Sequence, residues 1–308
     1  MTIADKSAVI TGTAQPQITI QLLKDLKIPL PPLAEQERIA AKLDNLFAQH
    51  EKIKKALDRI PQLLKAFRQQ VLTKAVERKE GTRKLKEFLN DIKYGTSKKS
   101  EYGLNGTPIL RIPNIENGRI NDKDLKYTLL DEKEYNTLRL KENDILIIRS
   151  NGSVSLVGQS AIVTNKHENY SYAGYLIRIR LNEKYNSDYL NYIFKSDFIR
   201  NQMIDTSRST SGVNNINSKE IQELDIPDVE ISEQREIVRR VESLFAKADV
   251  IEARYHKLKQ KVDKLPQAIL HKAFKGELVP QLPTDGDAKD LLKEIMALKE
   301  EVKGKKKK

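Results

Sequence analysis

The sequence contains no cysteine, which excludes disulfides, thiolate zinc sites and a cysteine nucleophile, and fits a reducing cytoplasm. No run of about eighteen apolar residues occurs, and Met1 to Lys6 lack the apolar core of a signal peptide. The expectation is a cytoplasmic chain with no membrane span. Motifs of several enzyme classes are also missing: no phosphate-binding P-loop, no Gly-x-Gly-x-x-Gly, no His-Glu-x-x-His, no Gly-x-Ser-x-Gly turn and no Asn-Pro-Pro-Tyr. The four histidines, His50, His167, His256 and His271, have no spacing that would converge on a metal, and Asp122 and Asp124 read as a solvated turn. No catalytic residue and no metal site is expected, and the chain reads as non-catalytic.

What is present in excess is positive charge. Lysine and arginine number 55 against 43 acidic residues, a net charge of +12 in 308 residues, and such an excess suits a polyanionic partner. Five of those charges lie in the run Lys303 to Lys308, which reads equally well as a solvated tail.

The chain repeats itself. A shift of 198 positions (233 minus 35) lays Glu35-Gln36 on Glu233-Gln234, Ile28-Pro29 on Ile226-Pro227, Leu46-Phe47-Ala48 on Leu244-Phe245-Ala246 and Lys74-Ala75 on Lys272-Ala273. Each copy carries apolar residues at spacings of four and three, the seam of a coiled coil: Leu43, Leu46, Ile53 and Leu57 in the first, Val241, Leu244, Ile251 and Leu258 in the second. So narrow a seam needs a partner, either the other copy or a second chain. At about 1.5 Å per residue, each helix makes a rod of roughly 65 Å. Prolines precede both helices, Glu35 and Glu233 suit the positive end of a helix dipole, and Ser232 is the expected N-cap of the second. Pro61 and Pro266 fall inside the patterns, where each removes a backbone donor and either kinks or breaks its helix. His50 reads as a packed seam residue facing a small neighbour such as Ala248.

Between the copies, about residues 81 to 230, lies a β-rich body. Runs at Thr107 to Ile112, Asp144 to Arg149, Ser160 to Val163 and Tyr175 to Leu181 are separated by turns such as Asn105-Gly106, Asn117-Gly118 and Asn151-Gly152. A helix is expected over Ser187 to Met203, with Tyr189, Leu190, Ile193, Phe194 and Phe198 as core. Beyond the second long helix, Pro280 to Asp287 reads as a linker and Ala288 to Val302 as a short amphipathic helix.

The body offers groups suited to DNA in three loops. Ser97, Lys98 and Lys99 combine a hydroxyl with phosphate-neutralising amines. Arg149, Asn151 and Ser153 supply a fork for guanine and an amide for adenine; Arg208, Ser211, Asn214 and Asn215 stand in a similar polar loop before the second long helix. Arg111 ends the first β run.

Together these parts resemble the specificity subunits of type I restriction-modification systems. The resemblance rests on Gly12 to Ile18 and Ile28 to Gln36 in the first copy, and on Gly212 to Asn217, Ile226-Pro227 and Ser232 to Gln234 in the second. In the body it rests on Tyr94 to Ser97, Leu110 to Ile115, Asn143 to Asn151 and Val157-Gly158, and after the second helix on Ala273 to Val279. It implies an α+β chain: a mixed, β-rich target-recognition domain flanked by two long conserved helices that form an antiparallel coiled-coil spacer. It also implies sequence-specific recognition of duplex DNA, with methyltransferase and restriction subunits as partners. Adenine methylation and cleavage, with S-adenosylmethionine, ATP and magnesium, would reside in those partners and no cofactor in this chain. The implied layout is a remnant of a first recognition domain at 1–32, helices at 33–80 and 231–279, a complete recognition domain at 81–230, and a linker, short helix and basic tail at 280–308. Only one domain is whole, so the chain is a half-subunit acting as a homodimer, a truncated product of a shuffling locus that could be silent, or a shortened piece of a full subunit. Two further readings stay open, a coiled-coil adaptor that binds no DNA and a self-contained nuclease or methyltransferase.

Overall fold

A computed structural model describes residues 28–77, 81–206, 208–210 and 213–305. Most of the remnant at 1–32, including Gly12 to Ile18, lies outside the described residues, as do Ser211, Gly212 and Lys306 to Lys308. Two helices come first, α1 (Leu33–Asp58) and α2 (Ile60–Val76). The body begins with β1 (Thr82–Lys84), β2 (Leu89–Tyr94), β3 (Thr107–Leu110), β4 (Ile115–Glu116), β5 (Arg119–Ile120), β6 (Lys126–Thr128) and α3 (Glu132–Leu138). It continues with β7 (Ile145–Ile148), β8 (Ser150–Asn151), β9 (Ser160–Ile162), β10 (Ser171–Tyr172), β11 (Leu176–Leu181), α4 (Ser187–Ile193) and α5 (Asp197–Thr206). Then come β12 (Arg208–Thr210), β13 (Val213–Asn215), α6 (Ser218–Gln222), β14 (Asp225–Pro227), α7 (Ile231–Phe274) and α8 (Ala288–Lys305). The chain divides into two units, residues 63–250 and residues 1–62 with 251–308.

In the unit 63–250, an antiparallel sheet of order β2-β11-β7-β9 is buried on both faces. Its middle strand β7 therefore reads as an unbroken apolar run: Ile145 and Ile147 enter one core cluster, with α4, α5 and residues of α2 and α7, while Leu146 and Ile148 enter another, with Leu110, Leu138 and Tyr172. On β11 the second face carries a buried cation, Arg178, paired with Asp91 and donating to the Thr137 and Arg139 carbonyls at 3.1 and 3.2 Å. Arg180 forks onto buried Asp144 at 2.7 Å through both nitrogens. These arginines are committed to the scaffold, because a buried charge is tolerated only when paired. A second sheet, β10-β3-β6, has β10 parallel and β6 antiparallel to β3. The β4-β5 hairpin turns on Asn117 and Gly118, both at positive φ (51° and 83°), which a two-residue hairpin needs.

The expected helix over Ser187 to Met203 is two helices, α4 and α5. Tyr189, Leu190, Ile193 and Phe194 are core as expected, but Phe198 falls after the break and is 41 % exposed. The turn between them is held by Ser196, whose hydroxyl donates to the Ile193 carbonyl at 2.6 Å.

The two prolines behave differently. The first helix is interrupted at Arg59, just before Pro61, whereas α7 runs unbroken for 44 residues through Pro266. Without an N–H, Pro266 leaves the Val262 carbonyl unserved within the helix; the His50 ring nitrogen Nε2 reaches that carbonyl at 3.0 Å and supplies the missing donor. His50 is thus a packed residue, but it meets Val262 and not the expected Ala248. In the unit that holds both, Lys259 pairs with Asp58 at 3.2 Å, so partners rise in number along α1 as they fall along α7. This pairing is antiparallel and within one chain. The seam is corrected in part. Leu57 and Val241 are buried and Leu43, Leu46 and Leu244 half-buried, but Ile53, Ile251 and Leu258 are 45, 50 and 47 % exposed. A repeat of seven drifts by about 20° per heptad on a straight helix, and two helices cover only a narrow stripe.

Both helix starts share one device. The Gln36 amide donates to the Pro31 carbonyl at 2.8 Å and the Gln234 amide to the Val229 carbonyl at 2.7 Å, which explains why the repeat carries Glu-Gln. Ser232 is not the N-cap: α7 already begins at Ile231, and the Glu230 carbonyl accepts from the Gln234 N–H at 3.0 Å.

Candidate nucleic-acid interface

The best-defined cluster of candidate DNA-contacting groups lies at a small three-stranded sheet, β12-β13-β8. Its register sets Asn214 opposite Asn151, Asn215 opposite Ser150 and Arg208 opposite Asn215, so two segments 63 residues apart in sequence (214 minus 151) form one edge. The Arg208 backbone is in this edge; its side chain lies outside the described residues. Asn151 folds its Oδ1 onto the Ser153 N–H at 2.9 Å, an Asx turn, and the Ser153 and Ser155 hydroxyls lie 2.8 Å apart. Asn214 is buried, its amide donating to the Gly152 carbonyl at 3.3 Å. The two amides read as base donors therefore hold the turn itself.

Arg149 immediately precedes β8 and joins this edge to a second loop. Its guanidinium lies 4.7 Å from the centre of the Tyr94 ring, a cation–π contact, and Nη1 donates to the Gly174 carbonyl at 3.3 Å. Its Nε is buried without a partner, as is Oδ1 of neighbouring Asn215. The Tyr94 hydroxyl in turn accepts from the Ser218 N–H at 2.8 Å. Gly95 is required here: a Cβ would stand 2.2 Å from the Tyr172 carbonyl oxygen. A planar fork held against an aromatic face is pre-oriented for a bidentate acceptor, at little further entropy cost. Tyr175, 63 % exposed, follows Gly174 and meets Arg149 across the paired strands β7 and β11, its carbonyl accepting from the Arg149 N–H at 2.9 Å.

The remaining sequence candidates do not share this cluster's bonds. Lys98 is held by Glu134 at 2.6 Å on α3, and that hydrogen bond raises its pKa. Lys99 is 87 % exposed and pairs with Glu101 at 3.0 Å; Ser97 is exposed. Arg111 is bound to Asp124 at 2.9 Å and to its carbonyl at 3.1 Å, so it locks a turn. Asp122 pairs with Lys166 at 2.6 Å, which lowers its pKa, and buried His167 has its pKa lowered by burial. Sequence reasoning missed Tyr94 as a support, and Gly174 and Tyr175 as parts of the site, whereas Asn215 stood in the polar loop it had singled out. Tyr94 stood in the motif Tyr94 to Ser97, but no local pattern announces an arginine from β8 above its ring.

No described helix is long and apolar enough to cross a membrane. The chain matches the family described as the type I restriction modification DNA specificity domain over residues 2–62 and 77–260. It is 39 % identical to the EcoKI specificity subunit of Escherichia coli K12 over 83 % of this chain and 58 % of that one. It is 38 % identical, with the same shares covered, to the StySPI specificity subunit of Salmonella potsdam. The chain thus spans somewhat under three fifths of the length of these curated relatives. Two solved structures share the fold at 21 % identity, each covering 88 % of this chain and 67 % of the other. One comes from work on complex assembly and conformational transition of the type I R-M system (TM-score 0.68) and the other is the HsdS subunit of Thermoanaerobacter tengcongensis (TM-score 0.60). The family match, spread across both copies of the repeat and the body between them, shows that the chain belongs to the type I restriction modification DNA specificity family.

Proposed function

We propose that this chain reads one half of a bipartite duplex DNA sequence as part of a type I restriction-modification complex and leaves adenine methylation and cleavage to partner subunits. The observation that carries this reading is Arg149, poised between Tyr94 and Gly174 at the edge built by β8 and β13. An arginine fork so placed suits the O6 and N7 acceptors of guanine in the major groove. Ser97, Lys98 and Lys99 act as phosphate-positioning groups, with Arg208 at the same edge as Asn214. Residues 81–230 form the recognition domain, residues 33–80 and 231–279 the helical spacer that meets methyltransferase subunits, residues 1–32 the C-terminal remnant of a first recognition domain, and 280–308 a linker, helix and basic tail. S-adenosylmethionine, ATP and magnesium act in the methyltransferase and restriction subunits, and the complex works in the cytoplasm. A second recognition domain reads the other half-site, and where a second copy of this chain supplies it the pair imposes two-fold symmetry on the DNA.

The test is single-molecule methylation sequencing of DNA from cells expressing this chain with its neighbouring methyltransferase subunit, against cells lacking the chain. A chain-dependent, symmetric, bipartite adenine motif is expected. An asymmetric motif would assign the second half-site to a different chain, and no chain-dependent motif would favour a silent fragment or an adaptor.

A further inference from the structure

The C-terminal helix α8 has an apolar stripe that nothing among the described residues covers. Ile295, Leu298 and Val302 are 44, 61 and 56 % exposed, and Leu291 is half-exposed. Their spacing of four, three and four is a heptad seam, with Leu291 and Leu298 at d and Ile295 and Val302 at a. β-Branched residues at a with leucine at d is the pattern that favours two parallel strands. The flanks agree. Glu294 falls at g and Lys299, five residues on, at e of the next heptad, the two positions that face each other across a parallel, in-register pair. The antiparallel alternative would set Glu294 against Glu301 of the other helix and lose that pair.

We infer that α8 is a homodimerisation helix which zips, parallel and in register, against α8 of a second copy of this chain. The surface is self-complementary, as a two-fold contact requires: each Leu298 meets Leu298 of the other copy, and two Glu294–Lys299 pairs form per dimer. The inference deepens the homodimer reading above by naming its surface. Its readout is oligomeric state, so its failure and a failure of DNA recognition are distinguishable.

The absence of cysteine makes the test direct. In the full chain, Leu298→Cys should form a disulfide-linked dimer on mild oxidation, whereas Lys293→Cys, at the outer f position, should not. Sedimentation equilibrium at up to about 100 μM should show a dimer that Leu298→Glu weakens by at least about 100-fold, the value of two buried leucines. Glu294→Lys should weaken it severalfold, and the swap Glu294→Lys with Lys299→Glu should restore it. These positions are exposed, and circular dichroism of each variant checks that the fold is kept. A chain that stays monomeric without cross-linking through Leu298→Cys overturns the inference, whether α8 is then free, packed on its own chain or reserved for another protein. So does a dimer indifferent to Leu298→Glu.

Discussion

The two copies of the repeat share an Ile-Pro and a Glu-Gln pair at the same spacing in the approach to the long helix, yet they live in different surroundings. Ile226 lies in β14, pairs with β1 and is fully buried, whereas Ile28, its equivalent, is 62 % exposed. The glutamine fold-back is the same in both, at 2.8 and 2.7 Å. The difference teaches that the helix start is encoded locally, through proline, glutamate and glutamine, while burial of the approach in the second copy comes from its pairing with β1 of the body. The prolines give the same lesson. Pro61 interrupts its helix, and Pro266 does not because a side chain 212 residues away serves the orphaned carbonyl.

The sharpest way to break this comparison is to truncate both isoleucines. Ile226→Ala should cost about 2–5 kcal/mol, as cavity formation in a packed core does, whereas Ile28→Ala should stay within about 0.5 kcal/mol, both read from urea unfolding. Equal losses would mean that the first copy is covered as the second is. Next in size, His50→Ala leaves the Val262 carbonyl unserved and should cost about 1–3 kcal/mol. Adding Pro266→Ala returns an intrahelical N–H, so the double variant should recover most of that loss; a purely additive cycle would remove His50 from this role. In the body, Arg149→Ala should lower discrimination at one base pair by about 1–3 kcal/mol with a small change in overall affinity, whereas Lys98→Ala should chiefly reduce the salt slope by about one. Competition binding over a salt series separates the two.

The smallest effect is a pH dependence. Burial pushes the Lys195 ammonium down to about 8 from its ordinary 10.5, with the positive charge of Arg119 adding to the fall. Its Nζ donates to the Asn117 carbonyl at 2.9 Å, beneath the β4-β5 hairpin. Between those two values the unfolded chain binds more protons than the folded one, so this residue makes stability rise with pH across that window. Lys195→Met should flatten that part of the stability curve, and an unchanged slope would show that the group is solvated.

Much of the body was legible because its strands are apolar runs bounded by turn residues: β7 and β9 fall inside the runs Asp144 to Arg149 and Ser160 to Val163, and Asn117-Gly118 makes the expected hairpin. The long helices followed from the heptads, and Glu35 and Glu233 do sit in first turns. What was hidden depends on groups far apart in sequence. Nothing near Pro266 announces His50, and nothing near Arg149 announces Tyr94 or Gly174. The β12-β13-β8 sheet joins loops that sequence treated as separate, and it explains why Asn151 and Asn214 spend their amides on the turn. Ile53, Ile251 and Leu258 were placed on the seam because a heptad count has no memory of helix drift. Arg111 and Lys98 looked like free cations until Asp124 and Glu134 came beside them.

The central claim is that the edge around Arg149 reads base sequence. Selection from a pool of randomised duplexes, using the full chain with its methyltransferase partner, tests it most directly when wild type is run beside Arg149→Ala. The expected result is a defined half-site for wild type, with preference lost at one guanine-bearing position in the variant and kept elsewhere. An identical motif from both proteins would contradict the assignment of Arg149, and no enriched motif from wild type would contradict sequence reading by this chain.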